Sequence, residues 1–369
     1  MCRALLLLAF LVPLAGCGLG PAKLPATRMD YNQAVQRSNN EEMLLNIVRM
    51  KYFEQPLFLQ VGAIASSFSY SVTGSGSATL PDQRDFLRSV YYNYAPSISA
   101  TYSDSPTVTY TPYQGQTYIQ QFLAELDFER FAVLYRSGWD IDYLMRILVA
   151  PVGNLDHVFD TRTGFDPAAH AKFLELTTLI AAMDDKGYLD LVHVSQGKDK
   201  PAIAVLTMRF DSPATANRMQ ELLGMDIQAR QTQTGHLVAK MQLINVKEHA
   251  LSEAAQGESK YPLLPIRLRN CLRAMDVLAQ GVEVPAPLAA DRTGFELRSQ
   301  FPGVCDIKAS AMRPLDAFVT VKHGGYWYSI RNNDARSKEV FQLMLNLFAL
   351  QSADPPKNAP VLTLGVGAN

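Results

Sequence analysis

The chain has 369 residues, of which 48% are hydrophobic and 19% are charged, an ordinary composition for a globular protein that can bury a sizeable core. The formal net charge is -1 and the sequence has no basic block, which excludes the charge pattern of a nucleic-acid-binding protein. A mean hydropathy of -0.03 argues against a chain that crosses a membrane many times.

Residues 1–16 are typical of a bacterial signal peptide. Arg3 supplies a positive charge, and residues 4–14 form an apolar stretch that is shorter than the roughly 20 residues of a bilayer-spanning helix. The stretch ends in Leu14-Ala15-Gly16-Cys17, which resembles the lipobox of bacterial lipoproteins. That resemblance implies cleavage before Cys17 and a membrane anchor formed by lipid on its thiol. Gly18 follows the cysteine in place of an aspartate, which favours the periplasmic side of the outer membrane.

A short tether and a helix are predicted next. Residues 17–30 are rich in glycine and proline and lack periodicity, so they are interpreted as a tether between the lipid and the fold. Ser38 and Glu41 have the S-x-x-E spacing of a capping box, which predicts a helix that starts there and ends before Pro56.

Two segments with strict alternation predict a β arm over about residues 62–112. Apolar and aromatic residues alternate with hydroxyl residues, so each strand has one apolar face and one hydroxyl face. Pro106 places the second strand at an edge or a bulge, and a short helix is expected over Asp82–Tyr92. We expect the hydroxyl face to be wet or to bind another protein through residues 97–111. The alternating hydroxyl residues are Ser67, Ser69, Ser71 and Thr73 in the first segment, and Ser97, Ser99, Thr101, Ser103, Ser105, Thr107, Thr109 and Thr111 in the second.

Helical periodicity dominates the next part of the chain. Helices are predicted over Gln116–Tyr135 and Trp139–Val149, separated by Gly138. Asp166, with Pro167 after it, is predicted to start a third helix that runs to Lys186 and ends at Gly187. Together with the arm, these helices predict a first domain over residues 31–187.

Residues 188–351 alternate between strand and helix patterns, which predicts an α+β domain. A turn at His323-Gly324-Gly325 indicates a tight hairpin, and Asp334 is expected to cap the last helix. A Pro-rich tail, residues 352–369, ends in an apolar, strand-like segment. The whole chain is therefore assigned to the α+β class, with antiparallel hairpins, sheets and packed helices. The predicted strands are Tyr188–Val194, Ile203–Phe210, His236–Val246, Phe318–Lys322 and Tyr326–Ile330; the helices are Pro213–Leu223, Ile266–Gln280 and Ala335–Leu350, with a loop over 249–264.

Two cysteines remain in the mature chain once Cys17 is lipidated. Because the envelope is an oxidising compartment, Cys271 and Cys305 could form a disulfide bond. The alternative is a pair of buried free thiols, and the sequence leaves both open.

No recognisable catalytic or metal-binding motif occurs, so the sequence predicts no catalytic residue, metal or cofactor. The carboxylate pairs Asp140/Asp142 and Asp184/Asp185 lie at helix ends, where such residues are usually structural. His157, with Asp156 and Asp160 beside it, is the one cluster worth testing. Tyr326-Trp327-Tyr328 and Trp139 could stack on a sugar ring, but core packing is the commoner role of such residues.

Several segments resemble an uncharacterised family of proteobacterial lipoproteins, over most of the mature chain. That family implies a compartment but no mechanism. The segments are the lipobox, NNEEMLLNIVRMKY with PLFL, SPTVTYTPYQG, RSGWDIDYLMRI, LAQGVEVP, GGYWYSIRNNDARSKEVFQLMLNLFALQ and APVLTL.

These observations favour a lipid-anchored envelope protein that is a non-enzymatic interaction or structural module. A second hypothesis is an envelope hydrolase or binding protein that acts on cell wall or polysaccharide. A third is a subunit of a multi-chain outer-membrane assembly in which residues 62–74 and 97–111 supply spanning strands, although Asp104 and Pro106 weigh against it.

Overall fold

The computed structural model describes residues 19–79, 93–113, 118, 122–153, 155, 166–194, 203–233, 235–245, 260–289, 304–351 and 362–365. Within these ranges the chain forms eight helices and twelve strands, which confirms the predicted α+β class. The helices are α1 Leu19–Lys51, α2 Phe128–Arg136, α3 Ile141–Leu148, α4 Pro167–Asp184, α5 Pro213–Leu223, α6 Cys271–Gln280, α7 Ala286–Ala289 and α8 Ala335–Gln351. The strands are β1 Leu59–Thr79, β2 Asn93–Pro112, β3 Val149–Val152, β4 Leu189–Val194, β5 Ile203–Phe210, β6 Arg230–Gln231, β7 Leu237–Asn245, β8 Leu263–Leu268, β9 Lys308–Ser310, β10 Ala317–His323, β11 Tyr326–Arg331 and β12 Leu362–Gly365.

The chain divides into two compact units. The first, called the body, comprises residues 1–56 and 114–354, and the second, called the arm, comprises residues 57–113 and 355–369. The arm is therefore larger than the segment expected from alternation, because β12 from the C-terminal tail pairs antiparallel with β2. The predicted domain boundary after residue 187 lies inside the body and separates no units.

The body contains a six-stranded sheet with the strand order β3-β8-β7-β5-β4, to which β6 adds by pairing with β7. α2 packs on β4, α4 packs on β4 and β5, and α5 packs on β5. α3 packs on α4 and presents a nearly continuous apolar stripe, with Ile141, Leu144 and Leu148 buried. Helices from before residue 187 thus cover strands from after it, which explains why no boundary lies there.

β8 occupies residues for which a loop and the start of a helix were predicted. Leu263–Leu268 pairs in parallel with β7, and the helix begins later, at Cys271. Asn270 is its N-cap and accepts a hydrogen bond from the Arg273 amide at 2.8 Å. The prediction was wrong because a short apolar run that is buried on both faces has no diagnostic period.

A second, three-stranded sheet in the body has the order β10-β11-β9. The predicted hairpin is present, and Gly324 and Gly325 both have positive φ, +55° and +86°, as a two-residue type I′ turn requires. α1 packs against β10 and α6, and α8 packs against α6. Asp334 caps α8 as predicted and accepts a hydrogen bond from the Ser337 amide at 3.0 Å.

α1 is longer than expected, so the predictions of a tether over residues 17–30 and of a helix start at Ser38 are both wrong in part. It starts at Leu19, so residues 19–30 are helical and the predicted tether is wrong for them. Ser38 and Glu41 lie inside this helix and do not form its capping box. The S-x-x-E spacing also occurs in helix interiors, and Pro21 is tolerated because a first helical turn has no intrahelical partners for its N–H groups.

Within the helix predicted over Gln116–Tyr135, Tyr118 is helical, residues 114–117 and 119–121 lie outside the described residues, and a separate helix, α2, begins at Phe128. Asp127 caps it by accepting a hydrogen bond from the Arg130 amide at 2.7 Å, and Glu125 forms an isolated bridge with Asn270. The helix ends as predicted before Gly138, which has a φ of +86°. The predicted cap at Asp166 is confirmed, with bonds from the amides of Ala168 and Ala169. The helix expected over Asp82–Tyr92 lies outside the described residues.

Candidate functional site

The arm is built around a long antiparallel pair, β1 and β2, of 21 and 20 residues. From Ala63 to Thr79, the two residue numbers of every pair add up to an even number, as for Ser71 with Thr101 and Thr73 with Ser99. Odd positions therefore face odd positions, and the hydroxyl residues of both strands share one face of the ribbon. Most even positions carry apolar or aromatic residue types, although Ser66 and Asp104 also lie there, and they share the other face.

The hydroxyl face is exposed at six described positions away from β12, whereas Thr107 and Thr109 are half-buried and Thr111 is buried. Ser71, Thr73 and Ser75 on β1 are exposed, as are their partners Thr101, Ser99 and Ser97 on β2. Ser75 Oγ and Ser97 Oγ form a cross-strand hydrogen bond at 2.6 Å. The six exposed hydroxyl groups can bind water or each other, as expected from the sequence, whereas the burial of Thr111 departs from that expectation.

A bulge at Gly62 keeps the apolar face continuous along β1. The register shifts by one residue between Val61 and Ala63. Before the shift, odd-numbered Val61 pairs with even-numbered Tyr110, and after it Ile64 pairs with Val108. Without the extra residue, Val61 would lie on the hydroxyl face.

Pro106 lies where β2 changes its neighbours. β12 pairs with β2 only at Thr107–Tyr110, so β2 is the middle strand there and Pro106 lies one residue beyond that pairing. Within the described ranges, β1 is the strand paired with β2 at Pro106. Proline has no N–H group to donate, so it is tolerated at positions where a strand has a neighbour on one side only.

The C-terminal end of α1 carries a cluster of buried polar side chains in the body. Asn46 and Lys51 are buried, and Lys51 Nζ donates a hydrogen bond to the backbone carbonyl of Gln280 at 3.3 Å. The helix ends in a Schellman motif: the Glu54 amide bonds the Arg49 carbonyl at 2.9 Å, and the Phe53 amide bonds the Met50 carbonyl at 3.1 Å.

The Schellman motif places a phenylalanine where glycine is usual. Phe53 has a φ of +60°, in the left-handed region that is costly for a bulky side chain. Such conformations cost of order 1–3 kcal/mol and persist only where the surroundings impose them. Phe53 directly follows Lys51 and Tyr52, which are both buried.

Two tyrosines and a histidine extend this cluster. The Tyr52 and Tyr328 hydroxyl groups are bonded to each other, and the Tyr52 ring lies 5.5 Å from that of His323. His323 Nε2 lies 3.3 Å from Glu54 Oε1. Burial, and then the bond to Tyr52, raise the pKa of Tyr328, so its phenol stays neutral at physiological pH. The cluster can hold three elements together.

Segments that carry the lipoprotein resemblance meet at two places. Lys51 and Tyr52 end NNEEMLLNIVRMKY, Gln280 belongs to LAQGVEVP, and Tyr328 belongs to GGYWYSIRNN. In the arm, APVLTL pairs with SPTVTYTPYQG through β12 and β2. No spacing in the sequence predicted these contacts, because the segments are far apart along the chain.

The carboxylate pairs have structural roles. Asp140 caps α3 by accepting a hydrogen bond from the Asp142 amide at 2.8 Å, and Asp142 forms an ion pair with Arg146 at 2.9 Å. Asp184 accepts a hydrogen bond from the Tyr135 hydroxyl at 2.5 Å. These contacts engage Asp140, Asp142 and Asp184 within the fold, whereas Asp185 is exposed.

The aromatic run on β11 belongs mainly to the core. Tyr328 is fully buried, whereas Tyr326 and Trp327 are half-buried. The Arg313 guanidinium lies over the Trp327 ring, 5.2 Å from its centroid. One face of this ring is therefore covered by a cation, and the run forms no open platform for a sugar.

The possible disulfide between Cys271 and Cys305 is absent, and the bond predicted as one alternative is wrong. Both thiols are free and buried. Cys271 opens α6, a helix of ten residues and about 15 Å. The Cys305 carbonyl lies against Gly281, at the other end of α6, where an added Cβ would come within 1.7 Å of it. A disulfide needs Cα atoms less than about 7 Å apart, so α6 keeps the two residues too far apart.

An apolar cavity of about 60 Å³ lies between the six-stranded sheet and its helices. All sixteen lining residues are apolar, and they include the flexible side chains of Met145, Met208 and Met219. Sugar sites need several convergent hydrogen-bonding groups, so this cavity is not suited to a polysaccharide.

The remaining candidates are not placed by the structure. Cys17 and the cluster of Asp156, His157 and Asp160 lie outside the described residues. Across the ranges that are described, no group of three or more histidine, cysteine or carboxylate side chains could hold a metal ion. No helix of the described part is both long and apolar enough to cross a membrane.

Comparisons with known proteins assign no family. No family model matches the sequence, and neither the curated proteins nor the solved structures contain a match. The resemblance to a lipoprotein family therefore stays a prediction from the sequence.

The tyrosine pair predicts a measurable coupling. Tyr328→Phe should lower the free energy of unfolding by roughly 1–2 kcal/mol, because the Tyr52 hydroxyl loses a buried partner. The double variant with Tyr52→Phe should lose less than the sum of the single losses, by about 1 kcal/mol. Denaturant unfolding of the four proteins measures this coupling, with Tyr326→Phe as the control from the same strand. Strictly additive losses would contradict a direct bond.

The two thiols predict slow reaction with thiol reagents. Burial raises the pKa of Cys271 and raises that of Cys305 to about 12, so neither thiolate forms in the folded protein near neutral pH. A thiol reagent should modify both cysteines within minutes in denaturant and neither without it. Mass spectrometry of a non-reduced digest serves as the control. A peptide pair linked through these cysteines would refute the free-thiol assignment.

Proposed function

We propose that this protein is a lipid-anchored component of the bacterial envelope that acts as a non-enzymatic interaction module through its arm. Lipid on Cys17 holds it at the periplasmic side of the outer membrane. The hydroxyl face of the arm, including residues 97–111, binds another envelope protein. The observation that carries this proposal is the register of β1 and β2, which places the hydroxyl residues on one face over most of the ribbon.

The form of the arm supports an interaction role. Along residues 63–79 and 93–106, the described part of the arm is a ribbon of two strands. Such ribbons are marginally stable alone in water, and an extended ribbon with few tertiary partners is suited to binding along its length. Exposed hydroxyl groups such as those of Ser99 and Thr101 can exchange water for a partner's hydrogen bonds at little cost.

The position of α1 supports a short connection to the membrane. The helix starts two residues after Cys17, the proposed site of lipid attachment, and its 33 residues span about 50 Å. Arg28–Asn39 is exposed or half-buried at every position, and the buried residues begin at Met43. The spacer between the lipid and the body would therefore be helical over most of its length instead of an extended flexible chain.

The hypothesis of an envelope hydrolase has less support. Asp140, Asp142 and Asp184 are engaged in a cap, an ion pair and a tyrosine contact, and the cavity is lined by apolar residues. A second candidate, a subunit of a multi-chain outer-membrane assembly, is favoured by the length of β1 and β2. Strands of 21 and 20 residues exceed the 9–11 that a crossing requires. In that case several copies would each contribute an arm.

Replacement of the proposed lipid-attachment residue tests the anchor. Cys17→Ala should abolish incorporation of an alkyne-labelled fatty acid and remove the processed protein from the membrane fraction, because the thiol that takes the lipid is gone. Cys2→Ala, within the predicted signal peptide, is the matched control and should be labelled normally. Undiminished label on the Cys17→Ala protein would refute the anchor.

An added charge tests the binding role of the hydroxyl face. Thr101→Asp should leave the melting temperature nearly unchanged, because Thr101 is exposed, but it should remove a partner crosslinked to the arm in cells. Leu315→Asp, at a fully exposed site in the body, is the control and should keep that partner. Mass spectrometry of the crosslinked species provides the measurement. If both variants keep the same crosslinked proteins, the hydroxyl face is not the binding surface.

A further inference from the structure

β1 is the end strand of the arm sheet in the part of the chain that the structure describes. The strand order is β1-β2-β12, and β2 pairs with β1 as far as Thr79. In a strand, every second residue directs its N–H and C=O groups to the side away from its partner. From Ala63 to Thr79, β1 therefore offers a row of backbone donors and acceptors about 55 Å long.

In the described part of the chain, the edge of β1 lacks the features that normally prevent strands from joining. Soluble proteins place charged residues or prolines on long edge strands, or cover those strands. Residues 63–79 contain neither a charged residue nor a proline. β2 differs in both respects, because it carries Pro96, Asp104 and Pro106 and is partly covered by β12. The arm is thus protected along one side and suited to pairing along the other.

We propose that β1 pairs antiparallel with β1 of a second copy of this chain, so that two arms form one continuous sheet. This goes beyond the proposed function, because it concerns the edge of the ribbon and not its hydroxyl face. A partner for this edge must be about as long, uncharged and alternating in the same way. β1 itself meets all three conditions, and a two-fold axis lets one strand satisfy the other.

The alternation of residue types selects the register of the pair. A pairing centred on Ser71 would place Ala63 opposite Thr79 of the second copy, and would use all of the strand beyond the bulge. Odd positions would again lie opposite odd positions, as they do between β1 and β2. The joined sheet, with the order β2-β1-β1-β2, would keep one hydroxyl face and one apolar face across four strands. A shift by one residue would mix the two faces, which disfavours it.

Disulfide trapping tests this pairing in the full-length, lipidated protein in its own membranes. Ser71→Cys would place two thiols directly opposite each other at the two-fold axis, within the Cα separation that a disulfide allows. Mild oxidation should convert at least half of this variant into a covalent dimer on a non-reducing gel. The native thiols Cys271 and Cys305 are buried and should contribute no background.

Thr101→Cys is the matched control. Thr101 lies directly opposite Ser71 in the β1–β2 register and is also exposed, but it belongs to β2. In the proposed sheet, two Thr101 residues lie three strand spacings apart, about 14 Å, which is too far for a disulfide. Dimer from Ser71→Cys that exceeds dimer from Thr101→Cys at least five-fold supports the pairing. Equal yields, or no dimer from either variant, overturn it.

A charge at the axis provides a second test that needs no oxidation. Ser71→Lys would place two ammonium groups directly opposite each other, and like charges in that position oppose pairing. Native mass spectrometry in detergent should then show the dimer dissociate at least ten-fold more readily than for Thr101→Lys. Equal dissociation of the two variants refutes the pairing. The proposed function fails separately, through the Thr101→Asp and Cys17→Ala experiments, so the two outcomes can be distinguished.

Discussion

The organisation of the body depends on the buried end of α1. A lysine there is shielded from solvent and its amine bonds the carbonyl of Gln280, which fixes α1 against the end of α6. Removal of an amine from water is costly unless hydrogen bonds replace the lost hydration, so Lys51 tolerates little displacement. The next residue, Tyr52, bonds Tyr328 on β11. Two successive side chains therefore hold a helix and a hairpin in place, and α8 packs on the same α6.

The arm follows a different constraint, because its register and not a core determines its two faces. Odd-numbered residues of β1 pair with odd-numbered residues of β2, which aligns the hydroxyl positions of the two strands. The bulge at Gly62, near the start of β1, keeps Val61 on the apolar face. A ribbon of this kind has surface and edge but little interior. The proposed interaction role rests on that geometry. In the described part of the chain, β1 is the end strand, whereas β2 is partly paired with β12.

Local signals in the sequence predicted the elements whose ends depend on near neighbours. Asp166 and Asp334 cap their helices, and Gly324-Gly325 forms the expected turn. Predictions failed where a distant segment decides the outcome. Leu263–Leu268 is a strand because β7 lies beside it, and Ser38 lies within a helix because α1 extends back to Leu19. The candidate cluster was missed, since Lys51, Gln280 and Tyr328 carry no spacing signal.

The sequence by itself determined the alternation of the arm, because a period of two depends only on the geometry of each strand. It also predicted the lipid anchor, which depends on four consecutive residues that a processing enzyme would read as an extended chain. Only the tertiary structure decided that the tail completes the arm through β12 and that Cys271 and Cys305 lie at opposite ends of α6. The burial of Lys51 beside Gln280 was likewise decided only by the tertiary structure. These outcomes depend on which distant segments bury their apolar surface together, and packing of that kind leaves no local pattern in the chain.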